Sequence, residues 1–162
     1  MSDQTSEPMV VRPTARVLLD RRDRILLMNG RLPGAAGGAW FTIGGGVEPG
    51  ETYAEAAARE IREETGITDF ELGPVVWLRQ GVLRLPQVTL LKEQYIVARC
   101  GGGEPDRGGW TALERDLVDD IRWWSHGDLA RTGERVFPPG LADRLPGVLS
   151  GRLPTEPESI PW

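Results

Sequence analysis

The sequence predicts a single α/β domain, and three observations carry that expectation. Six short segments rich in Val, Ile, Leu and aromatic residues are separated by Gly/Pro-containing breaks, as strands are. One segment, Thr52 to Gly66, has helix signals at both ends. A second apolar-periodic stretch, Leu141 to Leu149, follows the last strand. With 162 residues and 40% hydrophobic content, the chain has enough material for one core.

Arg12 to Asp20 and Arg24 to Met28 read as a hairpin around Arg21-Arg22-Asp23. Asn29 to Gly38 reads as a Gly/Pro loop, and Trp40 to Ile43 as a short strand leading into a glycine run. After the helix, Glu71 to Gln80 and Val88 to Arg99 are strands, with Gly81 to Pro86 between them. Cys100 to Trp110 is a glycine-rich, flexible loop, and Ile121 to Trp124 is a further strand. The tail from Pro154 to Trp162 carries three prolines and is expected to be irregular. The domain is thus expected over 12–153, between a flexible segment 1–11 and the tail 154–162. No internal repeat is visible.

The chemistry concentrates in Gly45-Gly46-Val47-Glu48-Pro49-Gly50-Glu51 and the helix after it. Thr52 and Glu55 have the spacing of a capping box. Gly66 suits the left-handed residue that ends a helix, with Ile67 folding back on Ile61. Ala54, Ala57, Ala58, Ile61 and Thr65 recur at helical spacing and are expected to form the buried face. Glu60, Glu63 and Glu64 lie at i, i+3 and i+4, so they project together. Arg59 can reach Glu63, but one guanidinium does not balance three acids. A divalent cation does, and an all-oxygen donor set suits Mg²⁺, with Mn²⁺ as a substitute. A solvated acidic face is the simpler alternative. It does not require Glu51, Arg59 and the glycines at fixed positions around the acids.

That pattern resembles the Nudix box of the Nudix hydrolase family. Gly45, Glu51, Arg59, Glu60, Ile61, Glu63, Glu64, Gly66 and Ile67 fill all nine specified positions, in a box of 23 residues. The resemblance implies an α/β/α sandwich with a mixed β-sheet. It also implies a metal-dependent hydrolase that cuts a diphosphate linkage in a nucleoside diphosphate joined to another moiety. Metal ligands are expected from Glu60, Glu63, Glu64 and the Gly44 or Gly45 carbonyl. Glu63 or Glu64 is the candidate base for a metal-bound water, Arg59 orients Glu63, and Glu51 supports the site through water or a loop amide. A Nudix domain that binds a nucleotide metabolite without cleaving it is an alternative, as is hydrolysis of an RNA 5′ end.

Other chemistries fit poorly. Gly50 is followed by Glu51 and Thr52, not by the Lys-Ser/Thr of a phosphate-binding P-loop, and Pro49 falls where a dinucleotide fingerprint needs glycine. A net charge of −5 and pI near 5.0 argue against a duplex nucleic-acid binder. No apolar run is long enough for a membrane span, and Met1 to Glu7 lacks the features of a signal peptide, so a cytoplasmic protein is expected. Cys100 is the single cysteine and reads as a strand-end residue. His126, the single histidine, sits in the turn-like Trp124-Ser125-His126-Gly127-Asp128 and reads as a surface or capping residue. Catalysis then falls to carboxylates. The oligomeric state stays open between monomer and homodimer.

Outside the box, Glu93 is a candidate further metal ligand or base; the alternative is an outward-facing residue paired with Lys92 or Arg99. Glu114 is a weaker candidate. One or two of Trp40, Trp77, Trp110, Trp123 and Trp124 are candidates to stack on a base. Of 19 basic residues only Lys92 is lysine, which compositional bias explains as well as phosphate recognition does. Pro86 lies where some family members carry a substrate-marking proline, but its offset does not assign the substrate.

Overall fold

The computed structural model describes residues 8–31, 37–84, 87–101, 104–106, 108, 110, 112 and 118–162. Glu114 and Pro86 lie outside the described residues.

The chain begins with β1 (Val10–Arg21) and β2 (Arg24–Arg31). They are joined by a two-residue turn in which Arg22 (φ 51°) and Asp23 (φ 63°) are both left-handed. Such turns match the twist of the flanking strands, and Asp20 Oδ1 accepts the Asp23 N–H at 3.0 Å. β3 (Gly38–Gly46) delivers the glycine run and leads to α1 (Tyr53–Thr65). β4 (Phe70–Arg84) and β5 (Val88–Cys100) are longer than the sequence suggests, so Gly81 to Arg84 belongs to strand rather than loop. β6 (Val118–Ser125), α2 (His126–Arg131), β7 (Val136–Phe137), α3 (Leu141–Leu149) and β8 (Glu158–Ser159) complete the order among the described residues. β1 starts two residues before the expected boundary, and β2 ends inside the expected Asn29–Gly38 loop.

The strands form one mixed sheet ordered β6-β2-β3-β1-β5-β4-β8, with β7 alongside β3. β1 runs parallel to β5 over eleven residue pairs, Val10–Thr89 to Asp20–Arg99. β3 first pairs with β2 and then, from Ile43 to Gly46, with β1. Alternation in β1 sends Val17 and Leu19 to one face and Leu18 to the other. Ala56, Ala57 and Ile61 of α1 cover the first face, against Ala15, Val17, Ile43 and Ile96. Leu129 of α2 and Leu141, Leu145 and Val148 of α3 cover the second, against Leu18, Trp40, Tyr95 and Trp124. The result is an α/β/α sandwich.

Three further expectations change. The turn-like Trp124-Ser125-His126-Gly127-Asp128 segment instead starts α2, with the Ser125 hydroxyl accepting the Asp128 N–H at 3.1 Å. On α1, Ala54 is exposed and Ala58 only half-buried, whereas Ala56 and Ala57 are buried. The buried stripe is turned toward Glu60 and Glu64, because the helix meets the sheet beside the glycine run. The tail is not irregular throughout. Glu158–Ser159 pairs in parallel with Trp77–Leu78, Ile160 enters the core, and the Ile160 N–H donates to the Leu78 carbonyl at 2.9 Å. Apolar Ile160, between two prolines, carries the segment back onto the sheet.

Candidate active site

Local sequence rules fix α1 at both ends. Thr52 accepts the Glu55 N–H at 3.1 Å, and Glu55 returns the bond to the Thr52 N–H at 3.4 Å. Gly66 closes the helix at φ 70°, its N–H donating to the Arg62 carbonyl at 2.9 Å. The buried Trp110 indole N–H also donates to the Glu64 carbonyl at 2.6 Å, pinning the last turn. No sequence pattern announced that contact.

The glycine run is glycine for steric reasons. Gly44 has φ 148°, and a Cβ there would lie 2.9 Å from Arg16 Cα. A Cβ on Gly45 would collide with the Glu60 carboxylate. The backbone is squeezed between β1 and α1, so Glu60 packs against Gly45 itself. Glu64 lies beside it and accepts the Gly44 N–H at 3.2 Å.

Arg59 organises the box. Its Nε and Nη2 each donate to Glu51 at 2.9 Å, a bidentate pair. Nη2 also donates to the Gly46 carbonyl at 3.0 Å, and Nη1 to Glu60 at 3.0 Å and Glu63 at 3.3 Å. The main partner of Arg59 is therefore Glu51 rather than Glu63. Glu51 acts directly on the guanidinium and also accepts the Glu48 N–H at 3.0 Å. The Arg59 bonds hold the Glu51 carboxyl down to about 2, and in return raise the guanidinium above its ordinary value.

The three box acids do not share one environment. Glu60 and Glu64 are buried together, whereas the Glu63 side chain is 51% exposed and tethered by Arg59. Burial pushes the Glu64 carboxyl well above the usual carboxylate range, and the neighbouring Glu60 pushes it further. Arg16 and the Gly44 amide oppose that shift. Among the described residues, no three His, Cys, Asp or Glu side chains meet closely enough to enclose a metal ion. Even so, two adjacent buried carboxylates beside a strained glycine backbone suit a hard divalent cation, which would offset the repulsion that raises Glu64.

Glu93 stands apart from this group. It is buried, not outward-facing, and pairs with neither Lys92 nor Arg99; Arg99 instead lies 3.6 Å from Asp20. Its Oε2 accepts from Arg79 Nη1 at 3.1 Å and from the Tyr95 hydroxyl at 3.0 Å, and Oε1 lies 3.5 Å from Arg16 Nε. Burial beside this carboxylate pushes the Tyr95 hydroxyl up. Arg16, Arg79 and Tyr95 escaped the sequence reading because each reads as an ordinary strand residue. Trp40, Trp77, Trp110 and Trp124 are buried and offer no open face to a base, and the half-buried Trp123 ring carries Arg21 at 4.3 Å. His126 opens α2 on the surface, and Cys100 is a buried free thiol raised by burial.

The NUDIX domain family matches residues 10–145. The chain belongs to the Nudix hydrolase family. It is 31% identical to the NAD-capped RNA hydrolase NudC of Stutzerimonas stutzeri over 112 residues, 69% of this chain and 36% of that protein. A 62-residue stretch is 40% identical to the RNA pyrophosphohydrolase of Erythrobacter litoralis, 38% of each chain. This Nudix chain thus spans little more than a third of the length of those curated relatives. A NUDIX hydrolase from Nitrosomonas europaea shares the fold at TM-score 0.63 and 19% identity, over 88% of this chain and 90% of that one. An ADP-ribose pyrophosphatase from Streptococcus suis does so at TM-score 0.60 and 19% identity, over 93% and 98%. Among the described residues no helix is long and apolar enough to cross a membrane.

Proposed function

We propose that this chain is a cytoplasmic hydrolase of a phosphoanhydride bond in a nucleoside diphosphate linked to another moiety, acting with Mg²⁺. The observation that carries the reading is the buried Glu60–Glu64 pair, held against the glycine run with a single guanidinium, Arg59, that Glu60 shares with Glu51 and Glu63. A binding-only domain is expected to have lost acids from the box, and Glu60, Glu63 and Glu64 are all present.

Glu60, Glu64 and the Gly45 carbonyl are the residues that would hold the metal, with Glu63 at the exposed edge of the site. When bound, a divalent cation supplies charge neutralisation for the diphosphate and an acidified water. The chain's own groups do the rest. Gly44 fixes Glu64 through its N–H. Glu51 and Arg59 hold the loop and helix in register, with Arg59 engaged by five oxygens of the box and so unavailable to substrate. Glu63, exposed and singly tethered, is the acid best able to take a proton from an attacking water.

A panel assay tests this. Purified protein with Mg²⁺ is expected to cleave at least one of ADP-ribose, a dinucleoside polyphosphate, a nucleotide sugar or an oxidised nucleoside triphosphate. The activity should vanish with chelator and return with Mg²⁺ or Mn²⁺. Turnover in excess chelator by metal-free protein defeats the mechanism.

A second reading, action on a capped or triphosphorylated RNA 5′ end, is favoured by the names of the curated relatives and opposed by the net charge of −5. Faster turnover of a 5′-triphosphate or NAD-capped RNA than of every small nucleotide would select it.

A further inference from the structure

We propose that Arg16 receives an anionic oxygen of the diphosphate substrate and that Glu93 is the residue that positions Arg16 for it. This rests on the hydrolase reading above for the class of ligand. Three observations carry it.

Arg16 stands opposite Gly44 in the β1–β3 register, beside the backbone amide that holds Glu64. Its described ion pair, to Glu93, uses Nε at 3.5 Å. Among the described residues no acceptor engages its two Nη groups, and its side chain stays 23% exposed. Arg16 also lines a cavity of about 240 Å³ with Thr42, Phe41, Met28 and Val118, next to the start of the glycine run. An unspent pair of donors on a fixed guanidinium matches the geometry of a phosphate group.

The second observation is how Glu93 is held. Arg79 and Tyr95 both bond Oε2, which leaves Oε1 toward Arg16. Arg79 is in turn fixed by the tail: its Nε donates to the Pro161 carbonyl at 3.1 Å, and the Trp162 ring lies 4.2 Å from its guanidinium. A carboxylate so enclosed is a rigid anchor for a second guanidinium. It is poorly placed to give up its partners to a metal ion.

Third, an anionic substrate approaching Glu60 and Glu64 meets like charge. Arg16 lies across the β1–β3 pairing from Gly44, whose amide bonds Glu64 at 3.2 Å, so a cation stands close to where added negative charge must be offset.

The test is binding, measured by calorimetry with adenosine 5′-(α,β-methylene)diphosphate in Mg²⁺. Arg16→Ala should raise Kd at least about tenfold, with Arg16→Lys in between, since lysine keeps the charge and loses the fork. Glu93→Gln should weaken binding severalfold, and the Arg16→Ala/Glu93→Gln double variant should be no weaker than Arg16→Ala. Mn²⁺ affinity, read by electron paramagnetic resonance, should be parental in Glu93→Gln. Additive losses in the double variant, a parental Kd in Arg16→Ala, loss of Mn²⁺ binding in Glu93→Gln, or no probe binding by the parent would each overturn the proposal. If Glu93→Gln does not fold, the Arg16→Ala and Arg16→Lys comparison still decides the role of Arg16. Probe binding that depends on Arg16 in a parent that cleaves no substrate would sink the hydrolase reading alone. Cleavage by a parent whose Kd ignores Arg16 would sink this one alone.

Discussion

The protein holds two guanidinium–carboxylate networks, and they are built in opposite ways. Arg59 meets Glu51, Glu60 and Glu63 at chain separations of 8, 1 and 4 residues. Glu93 meets Arg79 at a separation of 14, and Arg79 meets Pro161 at 82. The first network sits at the solvent-lapped edge of a helix, and the second lies inside the sheet. Contacts made within one turn and one loop leave a spacing in the sequence. Contacts made by strand register and a returning tail leave none. The local network gathers Glu51, Glu60 and Glu63 around one guanidinium, and the non-local one ties a buried carboxylate to a neighbouring strand and the tail.

Substitutions can set the two apart. The largest stability effect is expected at Arg79. Removing it strips a nearly inaccessible carboxylate of its best partner, so Arg79→Ala should cost about 3–5 kcal/mol in urea unfolding. A loss below about 1 kcal/mol would mean Arg16 and Tyr95 suffice for Glu93.

In the local network the effect should appear in rate instead. Glu64→Gln keeps shape but removes a buried charge that Glu60 opposes. We expect kcat to fall roughly a hundredfold, about 2.7 kcal/mol, with a melting temperature no lower than the parent's. A kcat within about threefold of the parent would remove Glu64 from the site. Glu63→Gln should match that rate loss with less effect on melting, because its side chain is exposed.

The phase of α1 comes next. Ala57 is fully buried, so Ala57→Leu should overpack the interface and destabilise by about 1–3 kcal/mol. Ala54→Leu, on the exposed side, should stay within about 0.5 kcal/mol. The reverse order would show that the helix is rotated from the position that brings Glu60 and Glu64 under the glycine run.

The smallest effect belongs to the tail. Trp162→Ala removes a half-exposed ring from Arg79, at a cost of about 0.5–1 kcal/mol. If the tail steadies Glu93 through Arg79, the same change should raise Kd for the methylene diphosphate probe slightly and leave Mn²⁺ affinity alone. A Kd indistinguishable from the parent's would confine the tail to packing.

The six longer strands, the capped helix and the closing helix were legible because period, caps and turn residues act over a few positions. So was the grouping of Glu51, Arg59, Glu60, Glu63 and Glu64, which one loop and one helix carry together. Spacing could not say that Glu60 and Glu64 are buried while Glu63 stays wet. Helical phase is known from sequence to within a residue or so, and the sheet decides which side of the acidic stripe it covers. Arg16, Glu93 and Arg79 sit on three strands whose neighbours are set by an eleven-pair parallel register between β1 and β5 and by the β4–β5 hairpin. Sequence alone determined the chemistry on offer, because charge and cap are properties of residues and short spacings. Only the tertiary structure decided which charges meet, because burial and strand pairing belong to surfaces that exist after the sheet closes.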